Sequence, residues 1–217
     1  MRMPVETRRE LLLDSAFHVI ARNGVDGATT RAICAEAGVT LSTFHYVFDS
    51  REALLAALVH RGIEMELEAM ASALGQGATV GSRGRRGVGL MLSGALTAYI
   101  DGVEADPDRE QAMIALNQYA RQTDGLRAFG AQMYHSYYDA IANGLAAAAA
   151  MAGVTWDRPV RELSPLVVAA TDGITLAYLN IRDRSVCDTI AMATTSLLMT
   201  HIVDEVDSGG DLHGHQP

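Results

Sequence analysis

Apolar residues recur at intervals of three and four along almost the whole chain of 217 residues, and this spacing constrains the fold more than any other feature. Such spacing places apolar side chains on one face of a helix, whereas a strand requires strict alternation. In the first such segment, residues 7–23, Leu12 and Ala16 lie on the same predicted face. Residues that favour strands are sparse, and no segment predicts a strand of convincing length. We therefore expect an all-α fold.

Glycines and prolines divide this pattern into about nine helices. Gly24 and Gly38 are natural helix ends, because glycine readily adopts the left-handed backbone of a tight turn. Asp106-Pro107 and Ser164-Pro165 each resemble a cap followed by a proline at a helix start. The glycine- and arginine-rich stretch 76–87 is the clearest break. The first predicted helix spans residues 7–23. A short second helix is capped by Thr29 or Thr30 and ends near residue 37, and a third begins at Thr40 or Leu41 and ends near residue 48. The others span residues 50–74, 88–103, 107–122, 126–152, 164–182 and 184–206.

This segmentation predicts a small N-terminal unit joined to a larger helical bundle. We assign residues 1–50 to a helix-turn-helix domain of three helices and residues 51–206 to a domain for ligand binding and dimerisation. Residues 207–217 consist mainly of Gly, Asp and His, and we expect a disordered tail. His213 and His215 are interpreted as solvated residues of that tail rather than as metal ligands.

Charge and cysteine content restrict the classes of function. The net charge of −9 argues against a general polyanion binder, so any DNA binding must rest on a local arrangement. The two cysteines, Cys34 and Cys187, lack the spacing of a metal site or redox pair. Polar residues interrupt the first apolar stretch, residues 11–21, and no apolar run is long enough to span a bilayer. We expect a cytoplasmic protein with neither a membrane partner nor a bound cofactor or metal.

The second and third predicted helices form a candidate helix-turn-helix. Two short helices joined by a tight turn can read DNA only if the second presents polar side chains outward, where its N-terminal residues reach base edges in the major groove. The pattern meets this condition, because one set of residues is predicted to face inward and another outward. The inward set is Ile33, Ala37, Val39, Phe44 and Phe48, and the outward set is Thr40, Leu41, Ser42, Thr43, His45 and Tyr46.

The stretch from Leu12 to Leu54 resembles the DNA-binding domain of the TetR family of transcriptional regulators, without gaps. The first helix of that family, which ends in glycine, is matched by residues 12–24, and the signature of its second helix is matched by residues 29–39, TTRAICAEAGV. The aromatic-rich third helix, followed by a basic and an acidic residue, is matched by residues 44–54, FHYVFDSREAL. The departures from the most common residues are Cys34, His45 and Val47.

The resemblance implies DNA-binding roles, although each has a structural alternative. Thr30 could be only a helix cap, Arg51 a solvated cation and Tyr46 a surface aromatic. The implied DNA-binding residues are Thr30 and Arg31 at phosphates; Thr40, Leu41, Ser42 and Thr43 at the start of the third helix, nearest the bases; His45 and Tyr46 at the DNA backbone; and Arg51 at a further phosphate.

For the whole chain, the resemblance implies a homodimeric regulator that binds a palindromic double-stranded operator and responds to a small-molecule effector, and it favours repression. A helical small-molecule-binding protein without DNA binding is the alternative, supported by the acidic charge and by Leu41, a poor hydrogen-bond partner for a base. An enzyme is not expected, because the sequence shows no nucleophile–base pair, metal-ligand cluster or phosphate-binding glycine loop.

The last two helices are the expected dimer interface. Their apolar stripes can pair with those of a second subunit as a four-helix bundle, or they can pack within the chain. TetR-like proteins dimerise through their last two helices, so the resemblance favours the interface. The interface candidates are Leu166, Ala170, Ile174 and Tyr178 on the first of these helices and Ile190, Leu197 and His201 on the second. The Asp172-Gly173 step also resembles the C-terminal domain of betaine-regulator-like members.

A ligand cavity is expected between the dimerisation helices and the long fourth helix. Methionine and tyrosine suit a pocket that adapts to a small, largely apolar effector, although such residues also fill ordinary cores. Asn117 and Tyr137 are favoured because an inward polar group needs a partner, whereas Tyr134 and Tyr138 are expected to face the dimer or solvent. We further expect an effector to tilt the fourth helix. The candidates are Met65, Leu92, Leu96, Tyr99, Met113, Asn117, Met133, Tyr137 and Trp156.

Overall fold

A computed structural model describes residues 4–77, 83–124 and 127–204, and these ranges hold nine helices and two short strands. The expected all-α class is confirmed. Residues 78–82 of the predicted break at 76–87, and all of the predicted tail, lie outside the described residues. The elements are α1 (Val5–Gly27), α2 (Thr30–Ala37), α3 (Leu41–Val47), α4 (Arg51–Gly77), α5 (Gly84–Ala105), α6 (Pro107–Gln122), α7 (Arg127–Ala152), β1 (Val154–Trp156), α8 (Val160–Ile181), α9 (Arg184–Met199) and β2 (Ile202–Asp204).

Local capping and turn chemistry shape the N-terminal helices. The backbone of α1 breaks at the predicted position, Gly24, where φ is 69°. Thr29 caps α2, since its hydroxyl accepts a hydrogen bond from the Ala32 amide at 3.1 Å. Gly38 follows α2 with φ at 65°, a left-handed conformation that turns the chain toward α3. Thr40 then caps α3 by accepting a hydrogen bond from the Thr43 amide at 3.4 Å.

One hydrophobic core joins the N-terminal helices to the bundle. Phe44 of α3 is completely buried together with Leu12 of α1 and Ile33 of α2. The same cluster continues through Leu54 of α4 and Leu116 of α6. Helix α1 packs along α6 more extensively than along any other element. The hydrophobic core therefore does not stop at residue 50, where the sequence places a domain boundary.

The remaining helices enclose two further clusters. Val88 of α5, Leu145 of α7 and Leu163 of α8 belong to one cluster, which lies beside the small sheet. Ile100 of α5 and Cys187 of α9 belong to the other. Both cysteines are free and buried, as small apolar residues would be. Helices α5, α7, α8 and α9 thus form the body of the C-terminal bundle.

The predicted last helix, 184–206, is wrong beyond Met199. The chain turns there and forms β2, which pairs antiparallel with β1 so that Trp156 faces Ile202. The Arg85 guanidinium fixes this turn by donating to the carbonyls of Met199, at 2.6 Å, and Ile202, at 2.7 Å. Strands of three residues carry too little alternation to be recognised in the sequence, and their pairing depends on an arginine from α5.

The predicted start of α8 at Ser164-Pro165 is also wrong. The helix begins at Val160, and Pro165 lies inside it. A proline there removes the amide that would bond the carbonyl of Arg161. The Ser164 hydroxyl donates to that carbonyl at 3.3 Å and so replaces part of the missing bond. The Ser-Pro pair therefore lies inside a helix, where Ser164 partly compensates for the missing hydrogen bond, and it does not mark a helix start.

Replacing Phe44 by alanine tests whether α3 depends on the shared core. A fully buried phenylalanine contributes roughly 3–5 kcal/mol, and the loss is spread over α1, α2 and α4. We expect Phe44→Ala to lower the free energy of unfolding by that amount in a urea titration. Tyr46→Ala is the matched control, since Tyr46 on the same helix is 60% exposed. A similar loss in both variants would contradict the burial argument.

Candidate nucleic-acid interface and internal cavity

The outer face of α3 is exposed and polar at its N-terminal end. Leu41 is 40% and Tyr46 is 60% exposed, and Ser42 and His45 are also exposed. The Thr40 hydroxyl lies 2.9 Å from the Ser42 hydroxyl and 3.0 Å from that of Thr43. These hydroxyls orient one another at the start of the helix, while Phe44 anchors its opposite face in the core. The arrangement presents a short polar surface on a rigid support.

Three arginines surround this face, of which the sequence reasoning singled out one. Arg31 on α2 is exposed and makes no hydrogen bond or ion pair within the described ranges. The Arg8 guanidinium lies 6.0 Å from the centre of the Tyr46 ring, and that of Arg9 lies 4.7 Å from the Phe48 ring. The adjacent basic pair at the start of α1 was the available signal for Arg8 and Arg9. Thr30 follows the capping residue Thr29 and is half-buried.

The structure gives Arg51 a position that differs from the expected phosphate contact. Its Nε donates to the carbonyl of Ala28 at 2.8 Å, and its guanidinium also donates to the carbonyl of Val25. The side chain is 21% exposed. These carbonyls end α1, so the guanidinium ties the start of α4 to the end of α1. Arg51 positions the helix-turn-helix unit instead of projecting into solvent.

Helices α5, α6, α7 and α8 enclose a cavity of about 570 Å³. Five of the nine predicted ligand-binding residues line it: Tyr99, Met113, Asn117, Met133 and Tyr137. Its full lining is Tyr99, Glu110, Met113, Ile114, Asn117, Arg121, Arg127, Gly130, Ala131, Met133, Tyr134, Tyr137, Ile141, Val168, Thr171, Asp172, Thr175 and Leu176.

The other four predicted ligand-binding residues do not line this cavity. Leu92 and Leu96 are 5% exposed and belong to the two cores of the C-terminal bundle. Trp156 lies on β1, and its indole Nε1 donates to the carbonyl of Leu145 at 3.0 Å. Met65 is half-buried on α4, and none of the described side chains of that helix lines the cavity. Helical spacing identified inward faces but did not separate core from cavity.

Most polar residues of the cavity lining were not among the predicted ligand-binding residues. Tyr134, expected to face the dimer or solvent, lines the cavity and donates its hydroxyl hydrogen to the Asp172 carboxylate at 2.8 Å. Burial, together with this carboxylate, raises the pKa of Tyr134 to about 12. Burial also raises the pKa of Asp172, against the opposing effect of the tyrosine hydrogen bond. Across the cavity, the hydroxyls of Tyr99 and Thr175 lie 2.7 Å apart.

The predicted dimer stripe is only partly exposed. Leu166 and Leu197 are exposed, whereas Ile174 is completely buried in the core of its own subunit. His201 also acts within the chain, because its Nδ1 lies 3.1 Å from the Asp157 carboxylate beside the small sheet. Ala170, Tyr178 and Ile190 are half-buried. The expectation that Ile174 and His201 lie at an interface is therefore corrected.

An exposed apolar face nevertheless remains on α8 and α9. Leu166 and Ile181 on α8 and Met192 on α9 are exposed. Helix α8 is also long and apolar enough to cross a membrane, with a mean hydropathy of 1.2 over a stretch that is 28% buried. Packing of α8 against α7 and α9 marks it as a bundle helix with one uncovered face.

Comparison with known proteins assigns the N-terminal helices. Residues 12–58, which include α2, α3 and the start of α4, match the family model of bacterial regulatory proteins of the tetR family. This segment is therefore similar to the DNA-binding domain of the TetR family. It is 39% identical over 57 residues to the nicotine-responsive transcriptional repressor HdnoR of Paenarthrobacter nicotinovorans. That match covers 26% of this chain and 29% of the repressor's length.

Solved structures show the same fold over nearly the whole chain. A candidate transcriptional regulator of Pseudomonas aeruginosa PAO1 superposes with a TM-score of 0.71 at 22% identity, covering 92% of this chain and 93% of that chain. FadR of Bacillus subtilis, in complex with stearoyl-CoA, gives 0.65 at 17% identity, with coverages of 89% and 99%. A TetR regulator of Haloarcula marismortui ATCC 43049 gives 0.69 at 14%, with coverages of 91% and 100%.

Comparing variants of Arg51 and Arg31 tests whether Arg51 positions the domain. We expect Arg51→Met to lower the free energy of unfolding by roughly 1.5–3 kcal/mol, because two carbonyls lose a charged donor. The slope of log affinity for DNA against log salt concentration should stay unchanged. Arg31→Ala should instead leave stability unchanged and reduce that slope by about one, as loss of a phosphate contact does. A reduced slope in the Arg51 variant would restore its role as a phosphate contact.

Proposed function

We propose that this protein is a cytoplasmic repressor of the TetR family that binds a palindromic DNA operator as a homodimer and is released by a small-molecule effector. In this proposal residues 1–50 read DNA, and residues 51–206 bind the effector and dimerise. The observation that carries it is the exposed N-terminal end of α3, held by the buried Phe44 and by the Gly38 turn, within the segment that matches the family model.

Base recognition is proposed for the exposed start of α3. Leu41 and Ser42 offer apolar contact and a single hydroxyl, so recognition would use thymine methyl groups and DNA shape more than paired hydrogen bonds. Tyr46, with Arg8 beside it, is placed to contact the DNA backbone. Arg31 adds an exposed cation on α2. These cations are local, because the chain as a whole carries a charge of −9.

Dimerisation is proposed for the exposed apolar face of α8 and α9. One small reading helix gives a limited interface, so two copies are needed for tight binding. Two α3 helices related by a twofold axis would read half-sites spaced by about 34–36 Å or a multiple of it. An apolar face as extensive as that on α8 and α9 is costly in water and favours burial against a second copy.

Helix α6 couples the cavity to the DNA-binding helices. It contributes Met113 and Asn117 to the cavity lining, while its other side packs along α1. Helix α4, expected to contact the effector itself, instead touches Met113 at Gly62. A Cβ atom at Gly62 would lie 2.2 Å from the Met113 sulfur, so the contact leaves no free space. A change in the position of Met113 therefore acts on α6 and α4 together.

A bound effector would shift the population between two orientations of the DNA-binding helices. Arg61 of α4 carries this motion to α1, since it donates to Asp14 at 3.0 Å and forms an ion pair with Glu10. Because the two half-sites fix the separation of the α3 helices, a displacement of a few ångströms is enough to weaken operator binding. This refines the expected tilt of α4 into a joint movement of α6, α4 and α1.

Titration of a labelled DNA fragment from upstream of the protein's own gene, followed by fluorescence anisotropy at two salt concentrations, tests the function. We expect saturable binding that exceeds binding to scrambled DNA and weakens with salt, because phosphate contacts release counterions. Tyr46→Ala should reduce affinity without loss of stability. Equal affinity for the two DNAs, also with fragments from neighbouring genes, would favour a helical small-molecule-binding protein without DNA binding.

Replacing Met192 by glutamate tests the dimer. Met192 is 64% exposed on α9, in the apolar face proposed as the interface. Burying a carboxylate without a partner is strongly unfavourable, so Met192→Glu should shift the protein from dimer to monomer in analytical ultracentrifugation. The control is Met151→Glu, at an exposed methionine on α7 outside that face. A wild-type protein that sediments as a monomer, or two equally dimeric variants, would refute this interface.

A further inference from the structure

Asp172 places a carboxylate without a counter-charge at the effector cavity. It projects from α8 and accepts one hydrogen bond, from the Tyr134 hydroxyl at 2.8 Å. No arginine or histidine within the described ranges forms an ion pair with it. Its pKa is raised because burial removes water from the carboxylate. The cavity therefore contains a partly desolvated acid that accepts a hydrogen bond from a tyrosine and forms no ion pair within the described ranges.

The other charged groups at the cavity already have partners. Glu110 is 3% exposed, and Arg109 neutralises it by donating Nε to the carboxylate at 3.1 Å. Arg121 is exposed and donates to the side chain of Gln118 on its own helix. The exposed Arg127 lies 3.7 Å from the Asp124 carboxylate. Arg121 and Arg127 are thus exposed, whereas Asp172 is the partly buried acid of the cavity lining that forms no ion pair within the described ranges.

Aromatic rings stand beside this acid. Tyr134 and Tyr137 project from α7 into the cavity, with ring centres 5.9 Å apart and planes inclined at 58°. Such faces attract cations because the electron-rich ring carries negative potential, and a nearby carboxylate adds to that attraction. The cavity lining also includes apolar side chains, among them Met113, Met133 and Ile141. One cavity thus combines a site for a positive group with space for an apolar group.

We propose that the effector is an apolar organic cation, an amine or a quaternary ammonium compound, whose charged group lies at Asp172 against Tyr134 and Tyr137. This inference rests on the proposed function and names the ligand class of the same cavity. It replaces the largely apolar effector expected from the sequence. The cavity volume of about 570 Å³ suits a molecule with one charged end and an aromatic or alkyl body.

The charge balance separates the ligand classes. A cation supplies a counter-charge to Asp172, and its attraction is strengthened because the carboxylate is partly buried. A neutral ligand of the same shape displaces the remaining water and leaves the acid uncompensated. A carboxylate ligand adds repulsion from a like charge. The order of affinity expected for isosteric probes is therefore cation, then neutral molecule, then anion.

Isothermal titration calorimetry of the full chain with four matched probes tests this order. The probes are 4-phenylbutylamine, trimethyl(4-phenylbutyl)ammonium, 4-phenylbutanol and 4-phenylbutyrate. We expect the affinity of both cations to be at least about tenfold higher than that of the alcohol, and the carboxylate to bind most weakly. Failure of both cations to bind, equal affinity for cations and alcohol, or tightest binding of the carboxylate would overturn the proposal.

The variant Asp172→Asn ties the effect to the acid. Its amide oxygen can still accept the Tyr134 hydrogen bond, so the cavity keeps its shape while losing the charge. Cation affinity should fall by roughly 10- to 100-fold, with little change for the alcohol. The thermal midpoint at neutral pH should not fall, because burial disfavours the charged form of Asp172 in the folded state.

Asp139→Asn is the matched control. Asp139 lies on α7 and pairs with Arg161 at 2.8 Å, and it does not line the cavity. This variant removes the same formal charge and should leave cation affinity unchanged. Equal losses in the two variants would mean that overall charge, rather than the cavity, attracts the cation, and would refute the site.

The operator assay separates this inference from the proposed function. Operator binding that the cations release in the wild-type protein but not in Asp172→Asn would support both. Operator binding by a protein that ignores both cations refutes the ligand class and leaves the regulator intact. Cation binding at Asp172 by a protein without any operator supports the ligand class and refutes the regulator.

Discussion

The packing of α1 against α6 is the constraint on which the rest of the structure depends. Leu12 of α1 and Leu116 of α6 are buried in one cluster with Phe44, so the helix-turn-helix has no core that is separate from the bundle. Protein interiors are close-packed and transmit small displacements instead of absorbing them. The cavity wall on α6 and the outer face of α3, which we propose reads DNA, therefore belong to a single packed unit.

Features that arise from neighbouring residues could be predicted from the sequence. The cap at Thr40, the left-handed Gly38 and the Asp106-Pro107 start of α6 each depend on residues within one helical turn. The resemblance of residues 12–54 to the TetR family added the fold of the whole N-terminal unit, and the all-α class followed from periodicity. The position of Arg51 could not be predicted, because its guanidinium meets carbonyls more than twenty residues earlier in the chain.

Helical periodicity does not predict which inward residues line the cavity and which fill a core. Leu92 and Met133 occupy equally inward positions on their helices, yet one fills a core and the other lines the cavity. The difference depends on how four helices cross, which no single helix encodes. Asp172 carried a usable signal, since a carboxylate within an otherwise apolar stripe requires a partner or a purpose. The same argument, that an inward polar group requires a partner, favours Asn117 and Tyr137, and it applies equally to Asp172 on α8.

The placement of Met113 explains how a ligand in the cavity would displace other helices instead of only filling space. Its side chain belongs both to the cavity lining and to the core shared by α1, α3 and α4. A ligand that only filled empty space beside an ordinary core residue would stabilise the fold without moving α3. At Gly62, however, the methionine sulfur already occupies the space of a missing Cβ, so α4 cannot approach more closely. Any shift of Met113 toward α4 must be relieved by movement of whole helices, and the helix-turn-helix unit moves with them because Arg51 and Arg61 fasten it to α4.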